Sequence, residues 1–419
     1  MNILVLNAGS SSLKFRLFQI DELCSLSEAE RVIAGGQVER IGKPDAQMTF
    51  FHGDTSHSEK RDVGTRSVLE AATEILRQLT EPTEAEQKPL TINAVGHRIV
   101  HGGSRFFNPT LIDDAVLAEI QALTELAPLH NPSGLAGIEA VQSLLPSVPN
   151  VAIFDTAFHH DLPFVSRNYA LLTEISERLQ LRRYGFHGIS YRFVSERLES
   201  LLKGHAQSTL HSDHFDHSAS GDTRRIICHL GNGASICALK NGQSIDTSMG
   251  FTPLEGLIMG NRSGDVDPGL VLHLLRGNRM TFDEVEELLN HKSGLLGLSG
   301  KSGDMRDLEK AASEGDDAAE LALACFAYRV RKYIGAYAAA LGGVDTLVFT
   351  GGIGEHSAAM RARICEGLEF LGLYVDDERN QNVTGQRPTA ISDEDEARVW
   401  VISTDEERQI ARETFTLLS

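Results

Sequence analysis

The strongest constraint on the fold is a feature that occurs twice. Ile3 to Leu6 is a short apolar run stopped by Asn7-Ala8-Gly9, and Phe15 to Ile20 alternates again, so the opening reads as two strands around a polar turn. The same design returns about half a chain later. There IICHLG, from Ile226 to Gly231, runs into NGA and then SICAL, followed by the turn Asn241-Gly242. His229-x-Gly231-Asn232 echoes Asn7-x-Gly9-Ser10. Two hairpins of one design predict two related lobes facing one another.

The intervening sequence alternates strands and helices. Ile92 to Val100 is strand-like and runs into His101-Gly102-Gly103, Asp113 to Leu126 has a helical pattern, and Val151 to Phe154 is a strand ending at Asp155. Asp316 to Leu341 reads as a long helix, with acids at its start and Gly342-Gly343 at its end, and Thr346 to Phe349 is a strand reaching Gly351-Gly352. Thr404 is placed to cap a last helix. This alternation predicts an α/β fold with sheets covered by helices. A chain of 419 residues that is 41% hydrophobic can bury more than one core, so two or three domains are expected. Lys203 to Thr223, with His205, His211, His214 and His217 among Ser, Asp and Gly, reads as a solvated loop; a metal site there is the weaker reading. The acidic stretches Glu81 to Glu86 and Asp393 to Glu396 read as solvated faces or linkers.

Charge narrows the partners. With 58 Asp and Glu against 39 Lys and Arg, the net charge of -19 repels nucleic acid and anionic membrane. A chain this acidic that handles phosphorylated anions must gather its cations locally. Five cysteines, Cys24, Cys228, Cys237, Cys325 and Cys365, show no C-x-x-C spacing, so reduced thiols are expected rather than disulfides or zinc. No apolar run approaches the roughly 20 residues of a membrane span, and a cytoplasmic location is expected.

Several residues have the context for chemistry. In NAGSSSLK, from Asn7 to Lys14, small residues let backbone approach a phosphate, Ser10 and Ser12 offer hydroxyls, Lys14 supplies a point charge and Asn7 could reach a metal-bound water. HLGNGAS, from His229 to Ser235, offers glycine amides and Asn232, and FTGGIGEHS, from Phe349 to Ser357, places glycines between a strand and a helix, where an open α/β sheet holds a nucleotide. Taken singly, each cluster is equally a tight turn that needs glycine. Arg98 in GHRIVHGG and Arg262 in MGNRSGDVDP sit where a guanidinium could bind carboxylate or phosphate through two parallel bonds, or form a structural ion pair. His130 in APLHNP and His187 in YGFHGIS are expected in exposed turns. Asp155 ends an apolar strand, where a catalytic or metal-orienting carboxylate is displayed, and Glu406 falls in a first helical turn, where acids suit the helix dipole.

Together these motifs resemble the acetate kinase family, of the acetate and sugar kinase, Hsp70 and actin superfamily. NAGSSSLK is similar to the family's first signature and IICHLGNGASICALKNG to its second; DTSMGFTPLEGL (Asp246 to Leu257), SGLLGLSG (Ser293 to Gly300) and DMRD (Asp304 to Asp307) follow the family as well. Two departures stand beside the motifs: His356 where the family's loop reads GGIGEN, and Asn261 where a threonine precedes the arginine.

The resemblance implies a two-lobed, duplicated ribonuclease H-like (actin-like ATPase) fold with a central cleft. It implies one lobe of residues 1–156 with 404–419 and another of 157–403. It implies that Asn7 and Glu406 help hold magnesium, or manganese in its place. Lys14, Ser10, Ser12, the loop His229, Leu230, Gly231, Asn232 and Gly233, then Asp304, Met305 and Arg306, and Gly351, Gly352, Ile353, Gly354 and Glu355 would contact ATP or ADP. Arg98 would bind the acyl substrate, with His130 nearby, and Val100, Leu129, Phe186 and Pro253 would line its pocket. Asp155 would be the active-site carboxylate, and His187 and Arg262 would stabilise the phosphoryl group in transit. The implied reaction is ATP and acetate to acetyl phosphate and ADP, reversible, with small-molecule partners only and a homodimeric assembly.

Overall fold

Asn2–Ala8 is apolar on both faces, which suits a strand covered on both sides rather than an edge. The computed structural model describes residues 1–9, 11–21, 30–53, 59–81, 90–128, 130–208, 223–392 and 397–419. Ser10, Leu129, Cys24, most of the histidine-rich tract and both acidic stretches, apart from Glu81, lie outside them.

The described residues divide into two compact units, Met1–Ala157 with Asp405–Ser419, and Phe158–Thr404. The first holds strands β1 (Asn2–Ala8), β2 (Ser12–Ile20), β3 (Glu30–Glu39), β4 (Gln47–His52), β5 (Glu59–Asp62), β6 (Ala94–Ile99), β7 (Thr110–Leu111) and β8 (Asn150–Phe154). The second holds β9 (Arg224–Leu230), β10 (Ala234–Lys240), β11 (Gln243–Thr247), β12 (Thr346–Thr350), β13 (Thr389–Ala390) and β14 (Val399–Val401). The sheet orders are β5-β4-β3-β2-β1-β6-β8-β7 and β11-β10-β9-β12-β14-β13. Both contain one pattern. Three strands pair antiparallel (β3-β2-β1 and β11-β10-β9), two more follow in parallel (β6-β8 and β12-β14), and an antiparallel edge strand closes each series.

Helices cover the first sheet where the sequence leaves room. Val68–Thr80 starts at the N-cap Ser67, whose hydroxyl accepts from Glu70 N, and buries Val68, Ala71, Ala72, Ile75, Leu76 and Leu79 at helical spacing. Each of the larger of these side chains stabilises by roughly 1.5–3 kcal/mol on burial. Glu406–Leu418 packs on β1, β2 and β6. Its approach depends on Gly96, because a Cβ there would lie 2.5 Å from Thr414 Oγ1 and 2.7 Å from Ile410 Cγ2. In the second unit the helix Gly188–Ser208 lays Tyr191, Val194 and Leu198 against Ile227, Cys237 and Val348 of the sheet.

Two local expectations change. The cap of the last helix is Asp405, whose carboxylate accepts from Arg408 N at 3.1 Å, while the Thr404 hydroxyl donates to Ser190 Oγ instead. The helix from Gly188 runs to Ser208, past Lys203, where loop was expected to begin. Among the described residues Cys228, Cys237, Cys325 and Cys365 are free thiols, as expected, and burial pushes the Cys228 thiol well above its ordinary value.

Candidate active site

In the first unit the site is assembled from three adjacent strand ends and one helix. β1 ends with Asn7, paired in register with Lys14 of β2; β6 carries Arg98; and Asp155 follows β8, its amide donating to Ile99 O at 3.0 Å. Asn7 is the hub. Its Nδ2 donates to Glu406 Oε2 at 3.2 Å and to Glu407 Oε1 at 2.9 Å, and its Oδ1 accepts from Arg98 NH1 at 3.2 Å. Arg98 then grips Asp155, donating from Nε to Oδ2 at 3.0 Å and from NH2 to the same oxygen. Asp155 is 0% exposed. Burial works against the charge on Arg98, but Asp155, Glu406 and Glu407 together outweigh it and hold the guanidinium above its ordinary pKa. Three carboxylates therefore surround one guanidinium, a local excess of negative charge.

The remaining first-unit candidates sit around this group. Lys14 is exposed, and Gly9 N closes the turn on Ser12 O at 2.8 Å. His130 occupies the N-cap position of the helix Asn131–Leu144 without a side-chain cap bond, and is half-buried rather than exposed. Val100 is buried. Asn131, also buried, bridges His101 by accepting from its N at 3.1 Å and donating to its O at 3.2 Å.

In the second unit the hairpin β9–β10 turns through Gly231-Asn232-Gly233, with Gly231 N bonded to Gly233 O at 3.1 Å. His187 and His229 stack beside it, ring centroids 4.2 Å apart and planes 20° from parallel. A Cβ on Gly233 would stand 3.5 Å from His187 Nε2 and 3.9 Å from Arg262 NH1; one on Gly231 would stand 4.0 Å from His229 Nε2. Two histidines and an arginine thus converge on the glycine loop. His187 is half-buried, and its φ of +58° is a left-handed conformation that a residue other than glycine adopts only under tertiary constraint. Arg262 NH1 donates to Pro253 O at 3.3 Å, and burial lowers the arginine below its ordinary value. Pro253 is half-buried and Phe186 buried; Phe186 O accepts from His159 Nε2 at 3.1 Å.

The same loop forms one wall of a cavity of about 490 Å³, a volume in the range of small-molecule sites. Of the residues expected at a nucleotide, Gly231, Asn232, Asp304, Met305, Arg306, Gly352 and Ile353 line it. His229, Leu230, Gly233, Gly351, Gly354 and Glu355 do not. Glu355 instead ties the backbone beneath, its Oε1 accepting from Gly351 N at 2.9 Å and Thr404 N at 3.1 Å. Gly351 has φ +75°, and a Cβ there would meet Leu230 backbone at 2.8 Å, so only glycine lets the two phosphate-loop candidates lie this close. Asp304 caps its helix and holds Arg306 by two bonds, at 3.0 and 2.6 Å. Asn261 and His356, the two departures from the family pattern, both line the cavity.

Among the described residues no group of three or more His, Cys, Asp or Glu side chains has a geometry that could hold a metal ion. Glu406 and Glu407 nonetheless each bring a carboxylate oxygen to one point, the Nδ2 of Asn7, which matches the one or two carboxylates that magnesium takes from a protein when phosphates and water complete its shell. Glu407 was not singled out from sequence, although a signal existed: it shares a helical stripe with Ile410, Ala411 and Thr414, all buried, and an acid on an apolar stripe needs a partner. Ser235 and Ser190, which bond to the two histidines, and Tyr191, which bonds to Ser235, were also missed.

Known proteins resemble this chain along nearly its whole length. The profile of the Acetokinase family matches residues 2–412. An acetate kinase of Clavibacter michiganensis is 45% identical over 417 residues, covering 98% of each chain. Among solved structures, the acetate kinase of Porphyromonas gingivalis superposes with a TM-score of 0.85 at 39% identity, covering 100% of both chains. A propionate kinase from Francisella tularensis gives 0.85 at 37%, covering 99% of both. The two-sheet α/β architecture is the actin-like ATPase fold that these kinases share, and the chain belongs to the acetokinase family, phosphotransferases whose acceptor is a carboxylate.

Proposed function

We propose that this chain transfers the γ-phosphoryl group of ATP to acetate, giving acetyl phosphate and ADP, reversibly and by direct in-line displacement. The observation that carries this reading is the loop Gly231–Gly233, which lines a cavity of about 490 Å³ and on which His187, His229 and Arg262 converge. Acetate, with a carboxylate pKa near about 4, is already ionised at neutral pH and needs no general base. The difficulty is bringing one anion against another. His187 and Arg262 supply the preorganised donors that a phosphoryl group in transit requires, with Asn232 and the glycine amides holding the donor phosphates. Asp304, Met305, Arg306, Gly352 and Ile353 hold the nucleoside side.

In the first unit Arg98 receives the acetate carboxylate, and Asp155 orients the guanidinium rather than taking a proton. The excess of carboxylates around Asn7 would repel a phosphate unless a divalent cation came with it; Glu406 and Glu407 would supply carboxylate oxygens to that cation, and Asn7 would help hold it by keeping the two acids together. A magnesium ion held there would supply the positive charge that offsets the phosphates. The exposed apolar run Phe164, Val165, Leu171 and Leu172, from 56% to 91% accessible, supports a homodimer.

Propionate is the rival acceptor, because the Francisella tularensis neighbour is a propionate kinase and one methylene changes binding by only about 1–3 kcal/mol. Hydroxamate detection of acyl phosphate across formate, acetate, propionate and butyrate decides between them. Acetate is expected to give the highest kcat/KM; product from none of these acids would refute the activity, and propionate in the lead would refute the substrate. Arg262→Ala is expected to lower kcat by about 100- to 1000-fold.

A further inference from the structure

His187 Nδ1 lies 2.8 Å from Ser235 Oγ, and Ser235 Oγ lies 2.5 Å from the Tyr191 hydroxyl. All of Ser235 and Tyr191 is buried, at 0% exposure. Two hydroxyl protons must therefore be placed among three atoms, and the arrangement admits one complete solution. If Tyr191 donates to Ser235 and Ser235 donates to His187 Nδ1, both protons are used and Nδ1 is an acceptor. If Nδ1 carried a proton and donated to Ser235, either the serine or the tyrosine proton would be left in the core without an acceptor among the described residues. A buried donor left unpaired is disfavoured by about 1–3 kcal/mol. A ring protonated on both nitrogens meets the same mismatch. Burial raises the Tyr191 phenol well above its ordinary value, so its proton is always there to be placed.

We infer that Tyr191 and Ser235 are positioning residues that fix His187 as the neutral tautomer bearing its proton on Nε2, the nitrogen that faces Gly233. His229 is held in parallel. Its Nδ1 lies 2.8 Å from Ser190 Oγ, which accepts from the Thr404 hydroxyl at 2.8 Å, so the serine proton is directed to Nδ1 and the His229 Nε2 toward Gly231 carries the other. Two stacked rings then offer Nε2–H donors to the loop without placing two imidazolium charges 4.2 Å apart. The arrangement suits a donor that must be ready before the phosphoryl group moves, because no proton has to be gained first.

The use of His187 in the reaction rests on the function proposed above; the tautomer does not. The test is nitrogen-15 NMR of histidine-labelled full-length protein, with His187 assigned by its loss in His187→Gln, together with steady-state kinetics of Tyr191→Phe and Ser235→Ala. The wild type is expected to show a pyridine-type Nδ1 and a pyrrole-type Nε2 at His187. Tyr191→Phe, which removes one hydroxyl and keeps the ring, is expected to convert this to a mixture of tautomers and lower kcat with KM nearly unchanged. Ser235→Ala is expected to do so more strongly, by about tenfold in kcat. A wild-type Nδ1–H tautomer or imidazolium at neutral pH overturns the inference, as does a Tyr191→Phe spectrum identical to wild type. A shifted tautomer with unchanged kcat upholds the hydroxyl chain and counts against the role of His187 in transfer.

Discussion

The hairpins β1–β2 and β9–β10 hold the same place in sheets of the same order, yet they end in opposite chemistry. β1 delivers Asn7 into a group of three carboxylates and one guanidinium. β9 and β10 deliver Gly231–Gly233 between two histidines and an arginine. The backbone frame is common, and what differs is what the neighbouring elements bring to it. In the first unit a helix from far along the chain supplies acids. In the second, the segment before the helix Gly188–Ser208 and the turn after Met259 supply N–H donors, from His187 and Arg262. One strand pattern thus recurs with different side chains around each copy: carboxylates about Asn7 in one, two histidines and an arginine about the glycine loop in the other.

The largest effect that could break this contrast is removal of Asp155. Asp155→Ala leaves Arg98 without the partner that balances its burial, and the variant is expected to lose about 3–5 kcal/mol of stability by urea denaturation. A loss below 1 kcal/mol would show that Arg98 finds other partners and that the acidic group is not a unit. Arg262→Ala, its counterpart in the other copy, is expected to change rate far more than stability.

Next is pH, where the two units should behave alike. His97 in the first and His159 in the second are each lowered from 6.5 to about 4, chiefly by burial. The unfolded chain takes protons at 6.5 that the folded chain refuses down to about 4, so the stabilisation is complete above 6.5 and is lost as pH falls through that window. Each histidine contributes about 3 kcal/mol to the difference. Unfolding midpoints across the window should move less in His97→Gln and in His159→Gln; no change in slope in one of them would separate the units.

A smaller effect tests the cation side. Glu406→Gln is expected to raise the magnesium concentration for half-maximal activity by about tenfold while leaving ATP saturation at high magnesium close to wild type. An unchanged magnesium curve would remove the cation from this copy. The smallest concerns the cavity wall: Asn261→Ala is expected to weaken ATP binding by about two- to tenfold, the scale of one hydrogen bond, measured by calorimetry. No change would exclude Asn261 from nucleotide contact.

What could be read from sequence was what is local. The glycines of the two hairpins, the strand-end Asp155 and the first-turn Glu406 are each marked by their immediate neighbours. What escaped depends on distance along the chain. Ser235 meets His187 across 48 positions and Glu407 meets Asn7 across 400, and no short pattern records either. The cap of the last helix was missed by one residue because Thr404 and Asp405 are both good caps, and Ser190 decides between them by engaging the threonine. The grip of Arg98 on Asp155 could be imagined from two strand ends but not oriented; only the parallel register of β6 and β8 sets them side by side.

The contact between Asn7 and the acids of the last helix also has a place in time. Residues 158–404 form a unit of their own inserted between the two parts of the first. At roughly 5–20 residues per second, a ribosome spends on the order of tens of seconds making that insertion. Throughout that interval β1, β6 and β8 exist, but the carboxylates that hold Asn7 and the helix that fits against Gly96 do not. A chain that stops before Asp405 holds every residue of the second unit and still lacks the acids that engage Asn7 in the first.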